Sequence, residues 1–182
     1  PWTNTYSYLP WRMNVHGLYM VEDYVKEAGF AEPPKTWQEF EEIAKKCTVD
    51  LDGDGKIDRY GFVCNTPNNN FVIKLFCSFG VQFENPDGTS GLASPKAIEA
   101  MEYWYEIEKN YGPPEMAMFG FKESRDVFMS GKAAMTAEGS WMNTILAEGM
   151  LPGLTWKPFR TPIYDVPTEV GAEMYGIGKG TK

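Results

Sequence analysis

Hydrophobic residues recur along this chain at two spacings, and the alternation between those spacings sets its architecture. After Trp37, the residues Phe40, Ile43 and Ala44 follow at helical intervals, and Thr36 with Glu39 three positions later makes a capping box at the start of that helix. Ser94-Pro95 opens a second helix, with serine as N-cap and proline in the first turn. Its apolar residues Ala97, Ile98, Met101, Trp104, Tyr105 and Ile107 spread over a broad face expected to pack on a sheet, and Gly112-Pro113-Pro114 ends it. Shorter helices are predicted around Tyr24, Val25 and Ala28 up to Gly29, from Phe71 through Gly80, over 122–129, and from Trp141 to about Gly149. Between them lie short apolar runs of strand character at 17–20, 59–64, 133–137 and 154–157. Pro86-Asp87-Gly88 reads as a hairpin turn between 81–84 and the segment near Leu92. Strands and helices in alternation define an α/β chain.

The stretch 128–141, FMSGKAAMTAEGSW, is where chemistry is easiest to place. Ser130-Gly131 stops a helix, a buried strand follows, and Glu138-Gly139-Ser140 turns the chain into the next helix, which Ser140 is placed to cap. Trp141 is thereby left at the carboxyl end of a strand, the edge where open α/β sheets hold ligands. From its residues alone, this tryptophan reads equally as a core side chain or as a ligand platform.

Composition narrows the classes. With 182 residues, 43% of them hydrophobic, the chain is long enough to bury a core. A formal charge of −8 with scattered Lys and Arg argues against a nucleic-acid surface, which needs a clustered basic face. No apolar run approaches the roughly 18 residues of a membrane span, no basic-then-apolar leader opens the chain, and Pro1-Trp2 looks like a cut edge. Cys47, Cys64 and Cys77 fit no zinc spacing. Cys47 and Cys64 flank one loop and read either as a pair or as two separately buried thiols.

The sharpest local motif is DLDGDGKID, 50–58. Asp50, Asp52, Asp54 and Asp58, with the carbonyl of Lys56, occupy places 1, 3, 5, 9 and 7 of an EF-hand calcium loop. Gly61 stands at the twelfth place, where a bidentate glutamate belongs. The loop therefore reads either as a weak Ca2+ site or, by slight preference, as an Asx-rich turn that needs no ion. No other cofactor is indicated.

Several of these segments carry a family resemblance. F-x-x-G-K-A-A-M followed by G-S-W, P-P-K-T-W-x-E-F at 33–40, S-P-x-A-I-E-A at 94–100, and GAEMYGI followed by G-K-G-T at 171–181 resemble extracellular solute-binding protein family 1, the maltose-binding-protein-like sugar receptors of ABC importers. The resemblance implies a periplasmic-binding-protein-like (type II) second lobe over 1–182, a central mixed sheet flanked by helices, with the first lobe of the same parent chain missing. It implies sugar stacking on Trp141, a structural role for Trp37, and a cleft reached by Trp11, Arg12 and Asn14, with His16 a weaker candidate. Asn68, Asn69 and Asn70, which suit sugar hydroxyls, would join it, as would Phe119, Phe121, Glu138 and Tyr175. Partners implied are a carbohydrate ligand and the permease subunits. The implied setting is extracellular or periplasmic, lipid-anchored in the parent, and an isolated lobe would fold yet bind sugar weakly or not at all.

Two other classes stay open on the residues. A glycoside hydrolase needs two carboxylates at a defined separation, and Glu138 beside Trp141 is the best single candidate, although nothing marks its pair. A calcium-dependent interaction module would need a second aspartate loop.

Overall fold

A computed structural model describes residues 8–65, 69–160, 162 and 170–176. Its organising element is β1 (Tyr8–Val21), far longer than the apolar run 17–20 that announces it. The extra length comes from a second partner. Residues 16–20 pair with β3 (Ala133–Gly139) and 18–21 with β4 (Trp156–Phe159), whereas residues 8–15 pair antiparallel with β5 (Val170–Gly176). From Trp11 to His16 apolar and polar residues alternate as in a strand, but the apolar positions Trp11, Met13 and Val15 are exposed and mark no buried face. A register shift between Pro10 and Arg12 places a bulge at Trp11.

Strand order is β2-β3-β1-β4, with β5 on β1. β2 (Tyr60–Val63) runs parallel to β3, and β1 runs antiparallel to β3, which makes the sheet mixed. Helices α1 (Glu22–Glu27), α2 (Trp37–Cys47), α3 (Asn69–Ser78), α4 (Pro95–Tyr111), α5 (Phe121–Met129) and α6 (Met142–Gly149) complete the α/β architecture. α2 and α4 pack on β2, and α5 packs on β3.

The core joins α2 to the sheet through Phe40 and Phe62, ring centroids 5.3 Å apart, and α3 to α4 through Phe71 and Trp104 at 4.8 Å. Gly61 lets α2 approach: a Cβ there would run into the Ala44 backbone carbonyl. Trp37 is buried and donates its indole N–H to Ser78 Oγ at 2.9 Å, as a packing residue should. Thr36 Oγ1 accepts from Glu39 N, but the Glu39 carboxylate reaches Lys35 N and not the cap residue's own, so the box is closed one residue early.

Four expectations change. The face of α4 is narrower than its sequence suggests, because Ala97, Ala100, Trp104 and Ile107 are buried while Ile98, Met101 and Tyr105 stay exposed. The hairpin around Asp87-Gly88 shrinks to a single bridge, Glu84 to Ser90. β4 begins two residues later than the run 154–157 and takes in Pro158, which sits on the strand as an edge residue can. Ser140 caps nothing: the residue before α6 is Trp141, and no side chain caps that helix. Cys47 and Cys64 are separately buried free thiols, and Cys77 is half-buried.

Candidate ligand-binding site

The turn after β3 is built around a buried carboxylate. Glu138 is 2% exposed, and its oxygens are divided between two neighbours. Arg125 of α5 donates from Nε to Oε1 at 2.7 Å and from Nη2 to Oε2 at 3.2 Å, a bidentate fork. Trp141 Nε1 donates to Oε2 at 3.0 Å. A carboxylate removed from water needs a charged partner and further donors, and Glu138 has both. The indole folds over Gly139, where a Cβ would collide with the ring. His16, paired with Gly139 across β1 and β3, meets the indole edge-on at 5.0 Å and 85°. Trp141 is thus half-buried and held from three sides: by its N–H, by the glycine beneath it and by the imidazole.

Electrostatics around the turn follow from this burial. Burial first, and the Lys74 charge second, pull the His16 imidazole down to about 4, so it is neutral near pH 7. Tyr19, whose hydroxyl donates to Gly139 O at 3.2 Å, is pushed up to about 12 by burial and by the Glu138 charge. The Arg125 guanidinium also lies over the Phe121 ring at 5.1 Å, which links the first turn of α5 to the indole through one cation and one carboxylate. Beside this cluster, a cavity of about 420 Å³ opens between β1, the start of α6 and the end of β4, lined by Val15, His16, Tyr19, Ser140, Asn143 and Phe159.

The structure gathers some of the sequence-predicted residues and separates others. Trp141 and Glu138 stand together, but Glu138 lies beneath the indole and serves to orient it, its oxygens taken by Arg125 and Trp141. Phe121 is 44% exposed over Arg125, while Phe119 is half-buried against the core. Trp11 is exposed and Asn14 half-buried on the outer half of β1. Arg12 lies on β1, Asn69 and Asn70 form the first turn of α3, and Tyr175 lies on β5 opposite Leu9; the side chains of these four are outside the described residues. Asn68 is outside them altogether. Arg125, Asn65 and Lys74 escaped the sequence reading. For Arg125 no signal existed, because its tie to Glu138 spans thirteen positions and two elements.

The aspartate loop is a folded turn. Asp50 accepts from Gly53 N at 2.7 Å and Gly55 N at 2.8 Å, Asp52 accepts from Asp54 N, and Asp58 accepts from Leu51 N. Gly53 and Gly55 supply the positive φ that the turn demands. Asp50, Asp52 and Asp58 each offer an oxygen within 4.8 Å of the others, so three donors fit one cation. Asp54 instead faces Lys56, Oδ1 accepting from its N at 2.8 Å and Oδ2 pairing with its Nζ at 3.0 Å.

The sequence and its mixed α/β fold match known proteins. The bacterial extracellular solute-binding protein family matches the chain over residues 1–182, and the chain belongs to that family. A solute-binding protein of Agrobacterium radiobacter solved in complex with ribitol aligns at TM-score 0.82 and 22% identity over 100% of this chain and 46% of its own. An ABC transporter-binding protein of Deinococcus radiodurans is 27% identical over 133 residues, 69% of this chain and 31% of the relative. A maltotriose-binding protein of Pyrococcus abyssi is 26% identical over 112 residues, 61% of this chain and 23% of the relative. The chain spans about a third or less of the length of these curated relatives. Among the described residues, no helix is long and apolar enough to cross a membrane.

Proposed function

We propose that this chain forms one wall of the ligand cleft in the substrate-binding component of an ABC importer, and that the cleft takes sugars or polyols without bond chemistry. The observation that carries the reading is the anchored indole. Trp141 is tethered through Nε1 at a strand end, so the orientation of its ring is preset for stacking against the carbon face of a pyranose or an extended polyol. Phe121 and Trp11, both exposed, are further aromatic surfaces on the same reading. The names of the relatives, a maltotriose-binding protein and a ribitol-bound receptor among them, support a polyhydroxyl ligand.

Capture would be completed by an opposing lobe, closing over the ligand as hinged two-lobed receptors do. The β1–β5 ribbon, a two-stranded extension beyond the main sheet, is the natural hinge. The loaded receptor then docks on permease subunits outside the membrane, where a lipid anchor on the parent chain would keep it. The carboxylate that the enzyme reading put forward, Glu138, is committed to Arg125 and Trp141. The Asp50–Asp58 turn works as local structure, its carboxylates already serving backbone N–H groups.

Calorimetry on the two-lobed parent with ribitol and maltotriose tests the proposal. Binding by the wild type, weakened roughly thirtyfold in Trp141→Ala as expected when an aromatic anchor worth about 2 kcal/mol is lost, supports it. Equal affinity in wild type and variant would sink it.

A further inference from the structure

Helix α4 carries more apolar surface than the rest of the chain covers. Ala97, Ala100, Trp104 and Ile107 form its buried stripe. Directly beside them on the helix surface, Ile98, Met101 and Tyr105 recur at i, i+3 and i+7 as a second stripe that stays 55%, 42% and 59% exposed. Leu92, 48% exposed, extends this stripe from the loop before the helix. That loop is fixed in place: Gly91 N donates to Phe83 O at 3.1 Å, and a Cβ on Gly91 would run into Gln82 O. Together with Glu102 and Glu106, these residues line a groove of about 730 Å³.

Charge decides what fits the groove. Glu102 and Glu106 stand one turn apart along the edge of the exposed stripe, so like charges border apolar surface that water must cover, and both arrangements cost free energy in the uncovered helix. Asn110 Nδ2 donates to Glu106 Oε2 at 2.8 Å, which satisfies one oxygen without neutralising the charge. At the carboxyl end of the stripe, Lys109 Nζ lies 5.6 Å from the centre of the Tyr105 ring, so this aromatic face already takes an ammonium from its own helix. A second copy of the chain suits the groove poorly. Each copy carries a formal charge of −8, and a two-fold contact through this face would set Glu102 and Glu106 against their own counterparts. A helix with one row of apolar residues and one row of lysines or arginines matches both rows at their own spacing.

We infer that the outer face of α4 is a docking surface for a basic amphipathic helix of a partner protein. Apolar residues of that helix fill the groove against Ile98, Met101 and Tyr105, and its lysines or arginines reach Glu102 and Glu106. The groove shares no residue with the Trp141 site, and the inference does not rest on the sugar and polyol reading.

The probe is a synthetic amphipathic helix of about five turns built from leucine and lysine, with a leucine and glutamate peptide of the same order as its control, each titrated by calorimetry into the two-lobed parent. The lysine peptide should bind, more weakly as salt rises, and the glutamate peptide should not. Affinity should fall about tenfold or more in Met101→Lys and in the double variant Glu102→Lys with Glu106→Lys, and stay within about twofold of wild type in Glu148→Lys, a charge reversal on α6. All four positions are exposed, so every variant should keep the wild-type Tm to within a few degrees. An equal loss in Glu148→Lys would reduce the binding to general attraction toward an acidic protein and overturn the assignment. A parent that does not bind the lysine peptide, or binds it equally well in the groove variants, would overturn it too. A wild-type dimer in sedimentation that Met101→Lys dissociates would make the occupant a second copy, which also overturns it.

Discussion

Trp141 Nε1 donates to Glu138 Oε2 at 3.0 Å across the turn that ends β3, and the same carboxylate is gripped by Arg125 from α5. The pairing converts a buried charge into a mount for an aromatic ring. An indole free to rotate would lose entropy each time it stacked on a ligand; one tethered at its N–H has already lost it on folding. Glu138→Gln keeps an acceptor for the indole and should hold ribitol or maltotriose affinity within a few-fold, whereas Glu138→Ala, which frees the ring, should lose about tenfold. Calorimetry on the two variants checks this, and equal losses would show that charge and not orientation matters.

Removing the other partner leaves the charge stranded. Arg125→Met should destabilise the protein by on the order of 3 kcal/mol, the lower end for a broken buried pair, because the Arg125 side chain itself still touches solvent. Urea unfolding measures it, and a loss within error of zero would contradict the burial of Glu138.

Two glycines are required by their neighbours. Gly61→Ala sets a Cβ against the Ala44 backbone and should cost at least about 2 kcal/mol, since neither the helix nor the strand can yield cheaply. Gly139→Ala meets a side chain instead: the Trp141 ring must swing away, so tryptophan fluorescence and ligand affinity should change more than stability does. An unchanged melting temperature in Gly61→Ala would refute the close approach of α2 to β2.

His16 gives stability a pH dependence of known sign. Its folded imidazole titrates near 4 while the unfolded one titrates near 6.5, so between these values the unfolded chain binds the extra proton. The stabilising contribution is whole above about pH 6.5 and is lost as pH falls toward 4. The His16 contribution to the slope of unfolding free energy in that window should approach one proton, so His16→Phe should be shallower there by about that amount. A wild-type profile that is flat from pH 7 to 5 would rule out a buried neutral imidazole.

Calcium discriminates the two readings of the Asp50–Asp58 turn. Carboxylates that already accept from Gly53, Gly55 and Leu51 hold the loop without an ion, so millimolar calcium should leave Tm where chelator leaves it. A rise of several degrees, abolished in Asp52→Asn, would make the three close oxygens a metal site. Acidification bears on the same turn: the Gly55 backbone N–H, the largest of several causes, holds the Asp50 carboxyl below its ordinary range, so its contribution is present above that range and disappears as pH falls through the lowered value.

Local signals in the sequence determined the helices with caps and stripes, the α/β class, and the strand-turn-tryptophan at 133–141, because each is encoded within a few residues by periodicity and turn chemistry. The family motifs lay in the same short segments. What only the folded chain decided were contacts between elements distant in sequence. The outer half of β1 exists because β5 returns to pair with it, Glu138 turns inward because Arg125 waits thirteen residues upstream, and His16 meets the Trp141 ring only through the β1–β3 register. Pairing across a sheet and the matching of buried charge depend on which elements become neighbours, and no window along the chain contains that information.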